Sequence, residues 1–261
     1  MTRVLITNDD GVDAPGIRAL AEAVRGRGYD TVVAAPAEEQ SGMSAALTAV
    51  TEGGRVAFET RPPGYAVAAS PAYIVMLAFL GVFGPPPDVV LSGINRGANT
   101  GRAVLHSGTV GAALTAANHG ARALAISLDV IAPGELDSGG TAFTITDDAS
   151  LHWTTAADLA ADLVDWLTES PPGTVANLNV PDRAGSELAG LRRATLANFG
   201  QVRMAVAEQG ADFARLTLER GDPADEGSDV ALLEQGFAAL TALRPVAEAA
   251  NTAIPTQRAP H

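Results

Sequence analysis

The sequence contains no cysteine and few aromatic residues. Without cysteine the chain cannot form disulfides, use a thiolate nucleophile or bind zinc through cysteine ligands. Aromatic residues make up only 5% of the 261 positions, so the core must be built mainly from valine, leucine, isoleucine and alanine. No apolar run reaches the roughly 18–20 residues that a membrane-spanning helix needs, and no basic-then-apolar leader begins the chain. We therefore expect a cytoplasmic protein that does not act at a membrane.

Basic residues are also scarce: the sequence has 17 arginines and no lysine against 30 aspartates and glutamates, for a formal net charge of −13. Such a surface repels nucleic-acid backbones and anionic membranes, so we expect neither as a partner. It also repels small phosphate esters at long range. A phosphate site in this protein would need a local reversal of charge, which a bound divalent ion can supply.

The first part of the chain alternates strand and helix patterns. Residues 3–7 form a short apolar run, Pro15 begins a helical pattern that extends to about Arg27, and residues 31–35 form a second apolar run. A strand–helix–strand unit of this length predicts a parallel sheet with a right-handed crossover. The same alternation continues, with strands predicted at 88–91, 123–128 and 175–180 and helices at 71–83, 110–119 and 155–168.

Less regular segments interrupt or follow this alternation. A pair of more exposed strands is predicted within residues 47–60, and residues 129–150 are predicted to form a long surface loop whose role as a lid is left open. Beyond Pro181 the helical pattern fades, and short strands are predicted near 191–197, 213–219 and 230–243, before a frayed end. We treat the chain as a single domain, residues 1–261, with a core to about residue 197 and a hairpin and arm over about 198–261.

Polar residues follow three of the predicted strands. Asn8, Asp9 and Asp10 follow the first strand, Ser41 lies in the loop after the second, and Asn95 lies in a predicted loop at 92–99. Because the carboxyl ends of parallel strands meet at one edge of the sheet, we expect these residues to lie close together. Two carboxylates, a hydroxyl and an amide oxygen form a donor set that suits Mg²⁺ or Mn²⁺. An isolated Asp-Asp-Gly is more often a solvated turn, so the prediction depends on this convergence.

Ser107, Gly108 and Thr109 immediately precede a predicted helix. Backbone N–H groups at a helix N-terminus, together with two hydroxyls, can form an anion site, although Ser107 or Thr109 could equally serve only as the helix cap. A metal site beside an anion-binding helix terminus favours phosphoryl chemistry, in which the metal binds a phosphate oxygen and activates a water for attack on phosphorus.

These motifs occur together in a recognisable order. The order is Asn8–Val12 with Ala14–Gly16, Ala35–Pro36 with Ser41–Gly42, Ser92–Asn99, and Ser107–Val110. As a set, they resemble the SurE family of survival-protein nucleotidases, with dense matches over roughly residues 3–128 and weaker ones at Asn177–Pro181 and Ser228–Asp229. The resemblance implies a Rossmann-like α/β fold with helices on both faces of a mostly parallel sheet. It also implies a C-terminal β-hairpin arm that is used in homodimers or homotetramers.

The resemblance further implies a metal-dependent phosphomonoester hydrolase that acts on nucleoside 5′- or 3′-monophosphates and needs one divalent ion, Mg²⁺ or Mn²⁺. The implied metal ligands are Asp9, Asp10, Ser41 and Asn95. The implied phosphate-binding residues are Asn95, Asn99, His106, Ser107, Gly108 and Thr109. The implied catalytic residues are Asn8, Asp9 and Ser107.

Three positions depart from the family pattern. His106 stands where tyrosine is usual, Tyr73 where an acidic residue is usual, and Arg102 where an acidic residue is frequent. His106 could protonate the leaving alkoxide or could simply form a pocket wall. The substrate could therefore be another small phosphorylated metabolite. A non-catalytic module that binds nucleotides or sugar phosphates, or a Rossmann-like group transferase, is the remaining alternative.

Overall fold

The structure is a computed structural model that describes residues 1–130, 147–200, 202–210, 213–220 and 225–249. Most of the predicted surface loop, residues 131–146, and the predicted frayed end lie outside these ranges. Every helix within them is too short or too polar to span a bilayer.

Strands and helices alternate along most of the described chain. The strands are β1 (Arg3–Thr7), β2 (Asp30–Pro36), β3 (Thr51–Glu52), β4 (Arg55–Val56), β5 (Phe58–Arg61), β6 (Gly64–Val67), β7 (Val89–Arg96), β8 (Arg122–Asp129), β9 (Val175–Pro181), β10 (Leu191–Arg193), β11 (Val202–Gln209), β12 (Ala214–Arg220) and β13 (Ala238–Leu243). The helices are α1 (Pro15–Gly26), α2 (Pro71–Phe79), α3 (Gly108–Asn118), α4 (Trp153–Asp162), α5 (Val164–Glu169) and α6 (Asp229–Glu234).

Nine of these strands form one central sheet in the order β10-β13-β9-β8-β7-β1-β2-β6-β5. All neighbouring strands from β6 to β9 run parallel, whereas β5 is antiparallel to β6 and β13 is antiparallel to β9. The mostly parallel sheet predicted from the sequence is therefore confirmed. Its carboxyl edge brings together the ends of β2, β1, β7 and β8.

Helices cover both faces of the sheet, as predicted. Because side chains alternate along a strand, Val4 and Ile6 of β1 pack into the core under α1, α4 and α5, while Leu5 packs into the core under α2 and α3. All three residues are fully buried, as expected for a parallel strand covered on both faces.

Helix α1 begins where predicted, with Pro15 in its first turn. The next residue, Gly16, permits a close approach to β7, because a Cβ atom there would lie 2.3 Å from the carbonyl oxygen of Ile94. This contact places the start of α1 directly beside the carboxyl edge of the sheet.

Several predicted element boundaries differ from the structure. The predicted loop at 92–99 is a strand as far as Arg96, with a register irregularity between Ser92 and Asn95. The predicted helix at 155–168 is two helices, because the N–H of Leu163 is shared between the carbonyls of Leu159 and Ala160 and the helix breaks there.

The C-terminal region divides differently from the prediction. Residues 230–243 contain both α6 and β13, and β13 lies within the central sheet between β9 and β10. The predicted core boundary near residue 197 therefore leaves out a core strand. Strands β11 and β12 form a separate antiparallel hairpin, which is the part of the predicted arm that leaves the sheet.

Buried Asp229 connects this region to the edge of the sheet. Its carboxylate accepts hydrogen bonds from the N–H groups of Gly101, Ala197 and Val230. Gly101 begins a short 3₁₀ turn, Gly101–His106, that leads into α3. Asp229, which lies where the chain returns to the sheet, thus holds the start of the turn that carries His106.

Candidate metal and phosphate site

A cavity of about 650 Å³ lies at the carboxyl edge of the sheet. Most of the predicted site residues line it, namely Asp9, Asp10, Ser41, Asn95, Asn99, His106 and Ser107. The structure therefore brings together residues from four separate segments, as the convergence of strand ends predicts.

Asp9 and Asp10 form the tip of β1 and carry closely spaced negative charges. Asp9 is 4% exposed, and burial raises its pKa although Thr109 Oγ1 donates a hydrogen bond to Asp9 Oδ1 at 2.5 Å. Burial, and then the charge of Asp9, raise the pKa of Asp10 to about 7, against a weaker opposing effect of the Arg96 N–H, whose nitrogen lies 3.3 Å from Asp10 Oδ2. Two adjacent carboxylates held in this way favour a bound cation.

The chemistry of the donor set also fits a hard divalent ion. The part of the chain that is described contains no group of three or more histidine, cysteine, aspartate or glutamate residues that could hold a metal. A metal at Asp9 and Asp10 would therefore need neutral oxygen ligands, and Ser41 and Asn95 line the same cavity. All-oxygen sets of this kind are typical of Mg²⁺ and Mn²⁺ sites.

The loop after β2 is held against the β1 tip by main-chain hydrogen bonds. Gln40 N donates to Asp9 O at 2.7 Å, and Val12 N donates to Pro36 O at 2.9 Å. These bonds fix the path of the loop that presents Ser41. The Ser41 hydroxyl donates to Glu39 Oε1 at 2.6 Å, and Glu39 also lines the cavity.

Asn8 does not line the cavity. It is fully buried, and its Nδ2 donates to the carbonyl of Gly11 at 2.9 Å, so the side chain supports the turn that follows the two aspartates. Its Oδ1 has no hydrogen-bond partner among the described residues. The Asn8 side chain thus supports the turn, and the catalytic role predicted for Asn8 remains a prediction.

The N-terminus of α3 contacts the β1 tip directly. Ser107 caps the helix through a hydrogen bond from Val110 N at 3.1 Å and also lines the cavity, so both predicted roles are compatible. A hydroxyl that accepts this bond can still donate its own hydrogen to an anion. Gly108 and Thr109 lie against Asp9 and do not belong to the cavity lining, and the phosphate contacts predicted for them remain predictions.

Asn99 is held by side chains of β8 and β9. Its carbonyl accepts from Asn177 Nδ2 at 2.8 Å and Asn179 Nδ2 at 2.9 Å, and its N–H donates to Asn179 Oδ1 at 2.8 Å. Its own Nδ2 donates to Ser127 Oγ at 2.9 Å. Two residues of the weaker sequence match at Asn177–Pro181 thus support Asn99 in the cavity wall.

Only one of the three departures from the family pattern lies in the cavity wall. His106 is exposed and lines the cavity. Tyr73 packs against the core between α2 and α3, and neither it nor Arg102 belongs to the lining. Of the three departures, only His106 therefore changes the cavity wall.

Other lining residues were not predicted as site residues. Arg96 Nε donates to Asp148 Oδ1 at 3.0 Å, and Trp153 Nε1 donates to the carbonyl of Asp148, also at 3.0 Å. Asp13 lines the cavity as well. Arg96 directly follows Asn95 and could have been inferred from that position, whereas no sequence signal places Asp148 here.

Comparisons with known proteins agree with these features. The family model described as "Survival protein SurE" matches residues 4–204. The 5′-nucleotidase SurE of Xanthomonas euvesicatoria pv. vesicatoria (strain 85-10) is 40% identical to this chain over 201 residues. The 5′-nucleotidase SurE of Xanthomonas axonopodis pv. citri (strain 306) is 40% identical over 202 residues. Each alignment covers 75% of this chain and 70% of the relative. The SurE protein of Aquifex aeolicus has a similar structure, with a TM-score of 0.77 and 27% identity over 95% of both chains. The chain therefore belongs to the SurE family.

Proposed function

We propose that this protein is a metal-dependent phosphomonoester hydrolase that acts on nucleoside 5′- or 3′-monophosphates. The observation that carries the proposal is a single cavity in which the Asp9–Asp10 tip, Ser41, Asn95 and the capped N-terminus of α3 converge. The name 5′-nucleotidase, given to the Xanthomonas relatives, supports the substrate class.

In this proposal Asp9, Asp10, Ser41 and Asn95 hold one Mg²⁺ or Mn²⁺ ion. When bound, such an ion supplies positive charge to phosphate oxygens and lowers the pKa of water. The two aspartates act as holders of the cation and not as a general acid and base. Thr109 keeps Asp9 in place through its hydrogen bond to Oδ1.

The phosphate would lie between the metal site and the start of α3. Ser107 and Asn99 line this side of the cavity, and the helix N-terminus favours a negative group there. During hydrolysis a water oxygen bonds to phosphorus, the ester P–O bond breaks, and the departing alkoxide takes up a proton. His106 is positioned on the wall to supply that proton or, alternatively, only to contact the leaving group.

The primary test is hydrolysis of an aryl phosphate by the purified protein with Mn²⁺, with EDTA, and as the Asp9→Asn variant. We expect phosphate release with Mn²⁺ and its loss after chelation or substitution. Asp13→Asn is the matched control, because Asp13 lines the same cavity but is exposed and ion-paired with Arg18 and Arg61. Undiminished turnover in EDTA would rule out the proposed mechanism.

A substrate panel would then decide between nucleotides and other phosphorylated metabolites. We expect the highest kcat/KM for nucleoside monophosphates and lower values for sugar phosphates. Ser107→Ala should reduce turnover across the whole panel, and full activity of that variant would contradict the phosphate contact. A wild-type protein that binds nucleotides without turnover would indicate a non-catalytic relative.

We also propose that the chain forms a homodimer or homotetramer through the arm at about 198–261. The β11–β12 hairpin pairs with no other strand among those described, and Phe199, Val206 and Phe213 are exposed along or beside it. Exposed apolar side chains on an isolated hairpin favour contact with a second copy.

A further inference from the structure

Glu39 is the acidic residue of the cavity wall that contacts one of the proposed metal ligands through a side-chain hydrogen bond without being such a ligand itself. Its Oε1 accepts the hydroxyl hydrogen of Ser41 at 2.6 Å. Both residues line the cavity, and the intervening residue, Gln40, is fixed to the main chain of Asp9 by a 2.7 Å hydrogen bond. The short loop therefore holds the Ser41–Glu39 pair at a defined place beside the two aspartates.

The direction of this hydrogen bond matters for a serine that binds a cation. A serine hydroxyl has a single hydrogen and two lone pairs. When Glu39 takes the hydrogen, the lone pairs of Ser41 Oγ are left for another partner. A carboxylate acceptor also makes the hydroxyl oxygen a better electron donor, as carboxylates do when they orient other metal ligands.

Glu39 does not itself belong to a carboxylate cluster suited to metal binding. Asp9, Asp10 and Glu39 do not make up a metal-binding group of three acidic residues in the described structure. The contact that Glu39 does make is with Ser41. Its side chain therefore contacts a proposed ligand directly. Burial raises the pKa of the two aspartates, and the charge of Glu39 also acts on both and contributes to that rise.

We propose that Glu39 is a positioning residue that accepts the Ser41 hydroxyl hydrogen and thereby directs the Ser41 oxygen toward the divalent ion. This inference rests on the proposed function, in which Ser41 is a metal ligand. It assigns to Glu39 an effect on metal affinity that becomes smaller when the Ser41 hydroxyl is absent.

The test is the Mn²⁺ dissociation constant, measured by isothermal titration calorimetry on metal-stripped protein without substrate. The variants are Glu39→Ala, Glu39→Gln, Ser41→Ala and the Glu39→Ala/Ser41→Ala double variant. Glu38→Ala is the matched control, because it removes the same charge from the neighbouring position, where the exposed side chain does not line the cavity. Circular dichroism and thermal melting confirm that each variant is folded.

We expect Glu39→Ala to weaken Mn²⁺ binding about 10- to 100-fold, the usual effect of losing such an outer partner, and Glu38→Ala to change it less than about threefold. Glu39→Gln keeps an acceptor oxygen and should recover most of the affinity. The double variant should lose less affinity than the product of the two single losses, because Glu39 acts in part through the Ser41 hydroxyl.

Two results would overturn the role of Glu39 while leaving the proposed function intact. One is wild-type affinity in Glu39→Ala while Ser41→Ala is weakened. The other is a double variant whose loss is the product of the two single losses, which would show that Glu39 acts independently of Ser41. If the wild-type protein binds no Mn²⁺ at all, the proposed function fails and the inference fails with it.

Discussion

Asp10 carries a charge that the metal-free protein can hold only at a cost in stability. Burial, together with the neighbouring charge of Asp9, raises its pKa from 3.8 to about 7. Below about pH 4 the Asp10 carboxyl group is uncharged in the folded protein, and its burial does not lower the free energy of unfolding. Its full cost is reached above about pH 7, so stability falls across that interval.

Asp10→Asn should therefore stabilise the metal-free protein at about pH 8 and have little effect at about pH 4. For a half-buried group screened by solvent we expect about 1–2 kcal/mol, or roughly 2–8 °C in Tm. The measurement is thermal melting in EDTA at both pH values, with Asp13→Asn as the control for loss of a cavity carboxylate. Equal stabilisation at the two pH values would contradict the electrostatic explanation. Added Mn²⁺ should stabilise the wild type more than the variant.

The sequence predicts the residues at the strand tips better than those that support them. Asp9, Asp10 and Ser41 could be inferred because the ends of parallel strands converge at one edge. Glu39 could not be given a role, because its contact with Ser41 depends on the path of a loop with no regular structure. Asp148 reaches Arg96 across 52 residues of sequence, and no local pattern encodes such a contact.

Among the elements, helix α3 can start close to Asp9 because its first residue, Gly108, has no side chain. A Cβ atom on Gly108 would lie 2.7 Å from Asp9 Oδ2 and 3.0 Å from Asp9 Cβ. The glycine therefore lets the start of the helix, including Ser107 and Thr109, approach the tip of β1 that carries Asp9. Any larger residue must move either the helix or Asp9.

Gly108→Ala should accordingly displace Asp9 and weaken Mn²⁺ binding at least about tenfold, with a stability loss of about 1–3 kcal/mol from overpacking. Gly26→Ala is the matched control, since a Cβ at Gly26, the last residue of α1, meets no atom within 4 Å. That substitution should leave Mn²⁺ affinity unchanged. Calorimetric titration and thermal melting of both variants provide the measurement, and unaltered metal affinity in Gly108→Ala would contradict the close approach.

The misassigned elements share a physical cause. Polar residues after Leu91 predict a loop, but β7 continues to Arg96. Its pairing with β1 ends at Ser92, whereas β8 still pairs with Asn95 and Arg96. The apolar segment at 230–243 predicts strands, but Gly236, with φ of +83°, separates α6 from β13. Short apolar runs do not distinguish a helix from a buried strand, so tertiary pairing decides.

At the scale of the whole molecule, the chain leaves the central sheet after β10 and returns to it in β13. Thr195 pairs with Ser228 in an isolated β-bridge, and Thr195 N donates to Gly227 O at 3.1 Å. The segments that precede and follow the β11–β12 hairpin are therefore adjacent. The fold class was predictable from the βαβ pattern, but this excursion was not, because the position of β13 depends on contacts between distant segments.

The adjacency of the two segments makes the hairpin separable from the core. Replacing residues 201–224 with a short glycine–serine linker should leave Thr195, Ser228 and the central sheet in place. An isolated two-stranded hairpin is only marginally stable, so its exposed Val206 and Phe213 are expected to be covered by a second copy in solution.

We therefore expect the wild-type protein to be a dimer or tetramer by light scattering coupled to size-exclusion chromatography, and the linker variant to be a monomer. The variant should keep its circular dichroism spectrum and its Mn²⁺ affinity, because no residue that lines the described cavity belongs to the hairpin. Val206→Lys combined with Phe213→Lys offers a milder control, since it preserves chain length while placing like charges on the proposed contact surface. A wild-type monomer, or a linker variant that retains the wild-type oligomer, would show that the hairpin does not mediate assembly.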